Sequence, residues 1–380
     1  MFFLKPEQKF DIKLQSPSKS FWSTFKKAFL VKKDFKNFCK NLEKSNLPDE
    51  LRELTSKFVN SESYNTVSKF WRHLVINHFK ALAKATSKEM QNSIIHSDYV
   101  ARTYFNKENF ASLENIDFTK EEINFDPFTK HKNINHYDSL SYNMTTAIYF
   151  SRKKDILKKY YHDINKKFYE EFSSSLKINN YDINQHLMYS INELQKIDLI
   201  LSEKKENIKI IEFGAGYGRT ANVILSTKKK VKYIIVDIPP SLYVSTLHFR
   251  KHHPNLKISH AFDINNKEYL EEEIDKNDII YIFPHQLKFL RENYFDISIM
   301  IGIINETEPK TLMNYMHYVN KISRNLYMKV FKYSGLPFSF YNFYRYNNKN
   351  DYFIPNEWFE QFSEKGMESD LVYHLGYKIK

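Results

Sequence analysis

Glu212, Gly214, Gly216, Gly218 and Asp237 are the residues of this 380-residue chain whose types and spacing most plainly serve chemistry. They stand in the run KIIEFGAGYGRTANVILSTKKKVKYIIVD, from Lys209 to Asp237. The chain has only 7 glycines, so three within five positions mark a special backbone. Glycine serves where φ must be positive or where a ligand comes close to the main chain. Ile210 and Ile211 before the turn read as a buried parallel strand. Arg219 to Thr227 after it reads as a helix, whose first N–H groups are free to meet a polar ligand. A second strand, Tyr233 to Val236, then delivers Asp237 to the carboxyl edge of the sheet, where open α/β folds bind ligands. Together these features predict a nucleoside-cofactor site.

Spacing selects among cofactors. The dinucleotide fingerprint G-x-G-x-x-G rests a pyrophosphate on the helix N-terminus. Counted from Gly214, its third glycine would fall on Arg219. The acid Glu212, two residues before the first glycine, would repel a pyrophosphate and suits a ligand carrying an ammonium and a sulfonium. The order Glu212-x-Gly214-x-Gly216-x-Gly218 resembles motif I of class I S-adenosylmethionine-dependent methyltransferases. That resemblance implies S-adenosyl-L-methionine as cofactor, held by Glu212, Gly214, Ala215, Gly216, Tyr217, Gly218, Asp237 and Ile238, with Asp237 on the ribose hydroxyls.

A longer series of segments extends the likeness. GAGYGR, VDIPPSLYVS, DIIYIFPHQ, FDISIMIGIINETEP and LYMKVFK, in that order, resemble the sugar O-methyltransferases of bacterial surface-glycan loci. The upstream segment NINHYDSLSYNMTTAIYF has the same flavour. This implies O-methyl transfer to a sugar hydroxyl, in a surface polysaccharide or its precursor. It also implies that the segment with His285 and Gln286 meets the adenine, and that the segment with Glu306 meets the methyl group and the acceptor. One position departs: Asn305 stands where family members often carry His or Gln.

A sugar hydroxyl is a weak acid, so a general base within hydrogen-bond reach is expected. Glu306 and His285 are the candidates. Glu306 has a second reading as an acid at a helix N-terminus, complementing the dipole ahead of Pro309. His285 has two others, as a cofactor contact and as a structural histidine. His248, His252 and His253 have only partial metal spacing and read as a surface helix end, so no metal is expected. Tyr137–Tyr149 and the aromatic segment Phe338–Tyr346 offer sugar-stacking faces, Arg345 with Lys349 a phosphate contact, and Trp71 and Trp358 core packing.

These residues need a frame. Strands are expected at Ile208–Phe213, Lys232–Ile238, Asp278–Phe283, Asp296–Ile301, Leu326–Phe331 and within Leu371–Lys380. Alternation with helices predicts a doubly wound, mostly parallel α/β sheet over 205–380. Before it, helices are expected at Ser20–Phe38, Tyr64–Ala85, Met90–Phe105, Ser139–Phe150, Lys153–Ser173 and Ile183–Leu201. They make 1–204 a helical substrate or cap region.

Composition narrows the class. Hydrophobic residues at 42% and aromatics at 16% supply a packed core and exclude a disordered chain. The single cysteine, Cys39, excludes an internal disulfide framework and suits a reducing cytoplasm. No signal peptide is visible, and the longest apolar stretch, Ile297 to Ile304, is far short of the roughly 20 residues of a membrane span. The net charge of +12 is mostly lysine dispersed between elements, which argues for a solvated surface and no specific nucleic-acid partner. Two rivals remain open: an RNA or protein methyltransferase, motivated by the charge, and a cofactor-binding partner subunit with a decayed transfer site, motivated by Asn305.

Overall fold

The computed structural model describes residues 47–67, 153–170, 176–178, 180–202, 206–307, 309–331, 352, 354–365 and 372–379. In chain order the helices are α1 (Asp49–Asn60), α2 (Lys154–Tyr160), α3 (Lys167–Glu170), α4 (Gln185–Ile200), α5 (Arg219–Thr227), α6 (Ser241–His252), α7 (Lys267–Lys276), α8 (Ile303–Glu306) and α9 (Pro309–Ile322). The strands are β1 (Leu176–Ile178), β2 (Tyr181–Ile183), β3 (Lys209–Phe213), β4 (Lys232–Val236), β5 (Ile258–His260), β6 (Ile279–Ile282), β7 (Ile297–Ile301), β8 (Asn325–Phe331), β9 (Phe359–Lys365) and β10 (Val372–Lys378). Two 3-10 turns, Glu62–Thr66 and Pro284–Phe289, complete the described elements.

The fold is Rossmann-like α/β. One eight-stranded sheet runs in the order β5-β6-β4-β3-β7-β8-β10-β9. The strands from β5 to β8 are parallel, while β10 lies antiparallel between β8 and β9. Strand order reverses between β3 and β7, and such a switch point opens a crevice at the carboxyl ends of the strands. The antiparallel β10 inside the edge departs from the all-parallel six-strand order of dinucleotide-binding sheets.

Both faces of the sheet are covered, so its central strands are apolar throughout. In β3, Ile210 packs toward one core with α1 to α6, while Ile211 and Phe213 pack toward the other with α7 and α9. The first core joins residues on both sides of position 204, from Leu51 and Phe58 through Leu194 to Ile224. The segment ahead of the sheet and the sheet itself therefore share one apolar interior.

Several elements depart from the sequence expectation. α1 was not foreseen in the lysine-rich stretch around it. It forms with Asp49 and Glu50 in its first turn and Lys57 in its last, matching the dipole, and buries Leu51, Leu54 and Phe58. The expected helix Lys153–Ser173 is broken between α2 and α3. There Asn165 donates its side-chain amide to the His252 carbonyl (2.7 Å) and its backbone N–H to Ser226 Oγ (3.1 Å). Docking onto the ends of α5 and α6 replaces the helical bonds. The β1–β2 hairpin and edge strand β9 also lay outside the expectation, because their pairing is set by partners elsewhere. The expected helices at Ser20–Phe38, Met90–Phe105 and Ser139–Phe150, and nearly all of Tyr64–Ala85, lie outside the described residues.

Phe58 is 2% exposed and meets Phe283, just past β6, edge-on at 5.2 Å. Truncation to alanine should cost about 3 kcal/mol, at the low end for a buried phenylalanine. Equilibrium denaturation of F58A should show that loss; an unchanged midpoint would mean that α1 does not anchor on the sheet.

Candidate functional site

The turn after β3 is built by its glycines. Gly214, Gly216 and Gly218 have φ of +70°, +58° and +91°, a region that side-chain-bearing residues rarely adopt. Each also meets a different neighbour. A Cβ on Gly218 would come within 2.3 Å of the Phe249 ring, so this glycine lets α6 pack against the start of α5. A Cβ on Gly214 would come within 3.1 Å of Ile303, in the turn after β7. Among the described residues a Cβ on Gly216 would meet nothing within 4 Å, which leaves its face of the turn open to a ligand. Gly214 N–H donates to the Val236 carbonyl (2.9 Å), fixing the turn to the end of β4.

Asp237 follows directly. Its carboxylate accepts from Gly216 N–H (3.0 Å) and Ile238 N–H (2.8 Å), so turn and acid form one unit. The residue is half-buried, and burial pushes its carboxyl up to about 7, opposed by those two donors. Glu212 is 2% exposed and accepts the Tyr233 hydroxyl at 2.6 Å. Burial lifts it to about 7 as well, against the pull of Tyr233 and Arg219. It could therefore act on a cationic ligand only through its field, without open contact. Ala215 and Ile238 are partly buried apolar residues beside the turn.

Tyr217 turns inward. It is 5% exposed, stacks on Phe168 at 5.7 Å and bonds His186 Nδ1 through its hydroxyl at 2.8 Å. Only its backbone is left for a ligand. Gln286 departs from its expected cofactor role. It is fully buried, its amide donates to the carbonyls of Ala261 and Ile264, and its Oε1 accepts from Phe283 N–H. Its amide nitrogen holds the loop between β5 and α7, and its oxygen caps the turn after β6.

His285 stands beside Ser63, from the 3-10 turn after α1. Its backbone N–H donates to Ser63 Oγ (2.7 Å), and its Nδ1 pairs with the same hydroxyl (2.9 Å). Burial holds the imidazole below the ordinary histidine range, with Glu62 opposing. Glu306 closes α8 at the switch point, but its side chain and that of Asn305 lie outside the described residues. So do Tyr137–Tyr149, Phe338–Tyr346, Arg345, Lys349 and Trp71. Trp358 is 6% exposed with its Nε1 on Asn320, as a packing residue would be.

The histidines of α6 are not a plain surface end. His248 and His252 flank Phe168 at 5.5 Å each, and His253 pairs with Asn222 Oδ1 at 2.6 Å. Among the described residues, no group of His, Cys, Asp and Glu could hold a metal ion.

Sequence reading missed Glu193. This fully buried acid of α4 accepts from Arg219 (2.8 Å), Thr220 (3.2 Å) and Lys329 of β8 (3.1 Å). Arg219 and Thr220 open α5 immediately after the glycine turn. The signal was weak: Glu193 lies in an ordinary helical run, and its partners are 26, 27 and 136 residues away.

The residues fit a nucleoside cofactor with positive charge. Three carboxylates, Glu193, Glu212 and Asp237, are gathered near the start of α5, where a pyrophosphate would otherwise rest. The open face at Gly216 would admit close approach, and a ribose diol could meet the half-buried Asp237 carboxylate.

No protein-family model matches the chain, and no curated protein does. Among solved structures, a protein of Pyrococcus horikoshii OT3 is similar at 15% identity and a TM-score of 0.36, over 57% of this chain and 99% of its own. The 1,6-didemethyltoxoflavin-N1-methyltransferase of Burkholderia thailandensis, solved with bound 1,6-didemethyltoxoflavin and S-adenosylhomocysteine, is similar at 11% identity and a TM-score of 0.32. That likeness covers 48% of this chain and 75% of the other. Likeness at this level carries neither activity nor substrate to the present chain.

The pH dependence of the site follows from Asp237. A ribose diol needs the ionised carboxylate as acceptor, and protons compete for it below about 7. Affinity for adenosine should therefore be fully developed near pH 8 and fall about tenfold by pH 6, one decade per unit below the pKa. Calorimetry across that range checks it; a flat profile would contradict the assignment.

Proposed function

We propose that the chain is an S-adenosylmethionine-dependent O-methyltransferase acting on a sugar hydroxyl of a surface glycan or its precursor. The observation that carries the cofactor reading is the open, positive-φ glycine turn bonded to Asp237 and surrounded by carboxylates. The sugar reading rests on the order of the resembling segments in the sequence.

The bound cofactor would supply an activated methyl group, so the protein's tasks are alignment and proton removal. In this reading Gly214, Gly216 and Gly218 admit the cofactor, Asp237 orients its ribose and Ile238 lines the adenine side. His285 stands just past the carboxyl end of β6, where its ring would accept a proton or contact the base. Glu306, at the end of α8, is the favoured general base for the acceptor hydroxyl. Among the described residues, no helix is long and apolar enough to cross a membrane. Action in the cytoplasm, on a free, nucleotide-linked or lipid-linked sugar, accords with this reading.

Calorimetry tests the cofactor. S-adenosylhomocysteine should bind and NAD should not, and D237A should weaken the former by about 1–3 kcal/mol for a lost charge-assisted hydrogen bond. Equal binding of NAD would replace this reading with a dinucleotide one. Mass spectrometry of surface glycan from a deletion strain should show one methyl lost per repeat, whereas methyl incorporation into RNA by the purified protein would overturn the sugar assignment.

Glu306→Gln keeps the shape of the side chain but cannot take a proton. Turnover should fall by roughly 10²–10⁴ while cofactor affinity stays nearly unchanged. A helix-end acid would instead lose a few tenths to about 1 kcal/mol of stability and keep its rate. Melting curves paired with a transfer assay separate the two.

A further inference from the structure

Ser63 lies in the 3-10 turn after α1 and is fully buried, and its hydroxyl reaches a residue 222 positions away. That hydroxyl accepts the backbone N–H of His285 (2.7 Å) and also pairs with Nδ1 of the same residue's ring (2.9 Å). The first bond fixes the main chain of His285, and the second fixes the rotation of its imidazole. Neighbouring contacts hold the two segments together. Phe58 meets Phe283 edge-on at 5.2 Å, and Glu62 pairs with Lys288 at 2.7 Å. Ser63 makes a further contact of its own, so a purely structural serine is the alternative to be separated.

The place of His285 gives these bonds their consequence. Val236 of β4 and Ile282 of β6 are paired in register, so Asp237 and Phe283 leave the sheet side by side. Adjacent strands lie about 4.8 Å apart. A cofactor with its ribose on Asp237 and its sulfur end passing the glycine turn after β3 would extend its base the other way, over the end of β6. His285 stands there, half-buried, just beyond Phe283 and Pro284. A ring tied at Nδ1 has one nitrogen left, Nε2, with which to meet that base.

Resting on the cofactor reading above, we infer that Ser63 is a positioning residue for the base of the cofactor: it pins His285 through the main chain and Nδ1, so that Nε2 is presented to the adenine. The base pocket is then shared between the sheet and a segment far ahead of it, and is incomplete until α1 has docked. Fixing the imidazole beforehand removes the rotamer entropy that its bond to the ligand would otherwise cost. A merely structural Ser63 would support α1, and its loss would change cofactor affinity whether or not residue 285 were a histidine.

The test measures the dissociation constant of S-adenosylhomocysteine calorimetrically in the wild type, S63A, H285A and S63A/H285A, each well below its melting temperature. S63A and H285A should each weaken binding about fivefold, the order of one ordinary hydrogen bond. The double variant should be weaker than H285A by no more than about twofold, because Ser63 acts through the ring. In the free protein, S63A should also move the Nδ1 nitrogen resonance of His285, identified by its absence in H285A. If S63A does not fold, the wild type decides: the ligand should move the Nε2 resonance of His285, and an unmoved one overturns the inference. Additive losses in the double variant, or unchanged affinity in either single variant, overturn it as well. A wild type that binds no S-adenosylhomocysteine would instead overturn the cofactor reading itself.

Discussion

Glu212 and Glu193 are buried and Asp237 half-buried around the Gly214–Gly218 turn, and each is kept there by a specific compensation. Glu212 has the Tyr233 hydroxyl, Asp237 has two backbone N–H groups, and Glu193 has Arg219, Thr220 and Lys329. Burying a carboxylate is expensive, and only paired or hydrogen-bonded acids persist in an interior. Burial still lifts the carboxyls of Glu212 and Asp237 to about 7, so their compensation is incomplete. A ligand that brings a positive charge and hydroxyl donors would complete it.

That arrangement depends on the sheet. β3, β4 and β7 are adjacent and parallel, so their carboxyl ends bring the glycine turn, Asp237 and α8 to one edge. The covering segments are equally specific. α1 and the turn after it reach the far side of the edge, where Ser63 holds His285 and Glu62 pairs with Lys288. α4 covers the near side and carries Glu193. Two segments ahead of the sheet in sequence, one distant and one adjacent, thus flank the edge that the sheet creates.

How much of this was legible follows from the range of the interactions. The glycine turn, the strands around it and Asp237 could be read because their chemistry is local: positive φ demands glycine, and the acid ends the very next strand. Gln286 could be placed but not understood. Its neighbours in sequence say nothing of the carbonyls of Ala261 and Ile264 that claim its amide. Glu193 was silent because its partners come from α5 and β8, and a buried acid in a helix looks like a surface acid until the packing is known. The break at Asn165 was hidden for the same reason. Helical periodicity continues through it, and only docking onto His252 and Ser226 makes the break favourable.

The central claim is that the turn and Asp237 together hold a nucleoside cofactor with a cationic sulfur centre. A crystal structure grown with S-adenosylhomocysteine tests it most directly. The account predicts the ribose hydroxyls on the Asp237 carboxylate and the ligand passing the open face of Gly216, with Glu212 still on Tyr233. Ligand density elsewhere, or a ribose held by other groups with Asp237 keeping only its backbone donors, would contradict it.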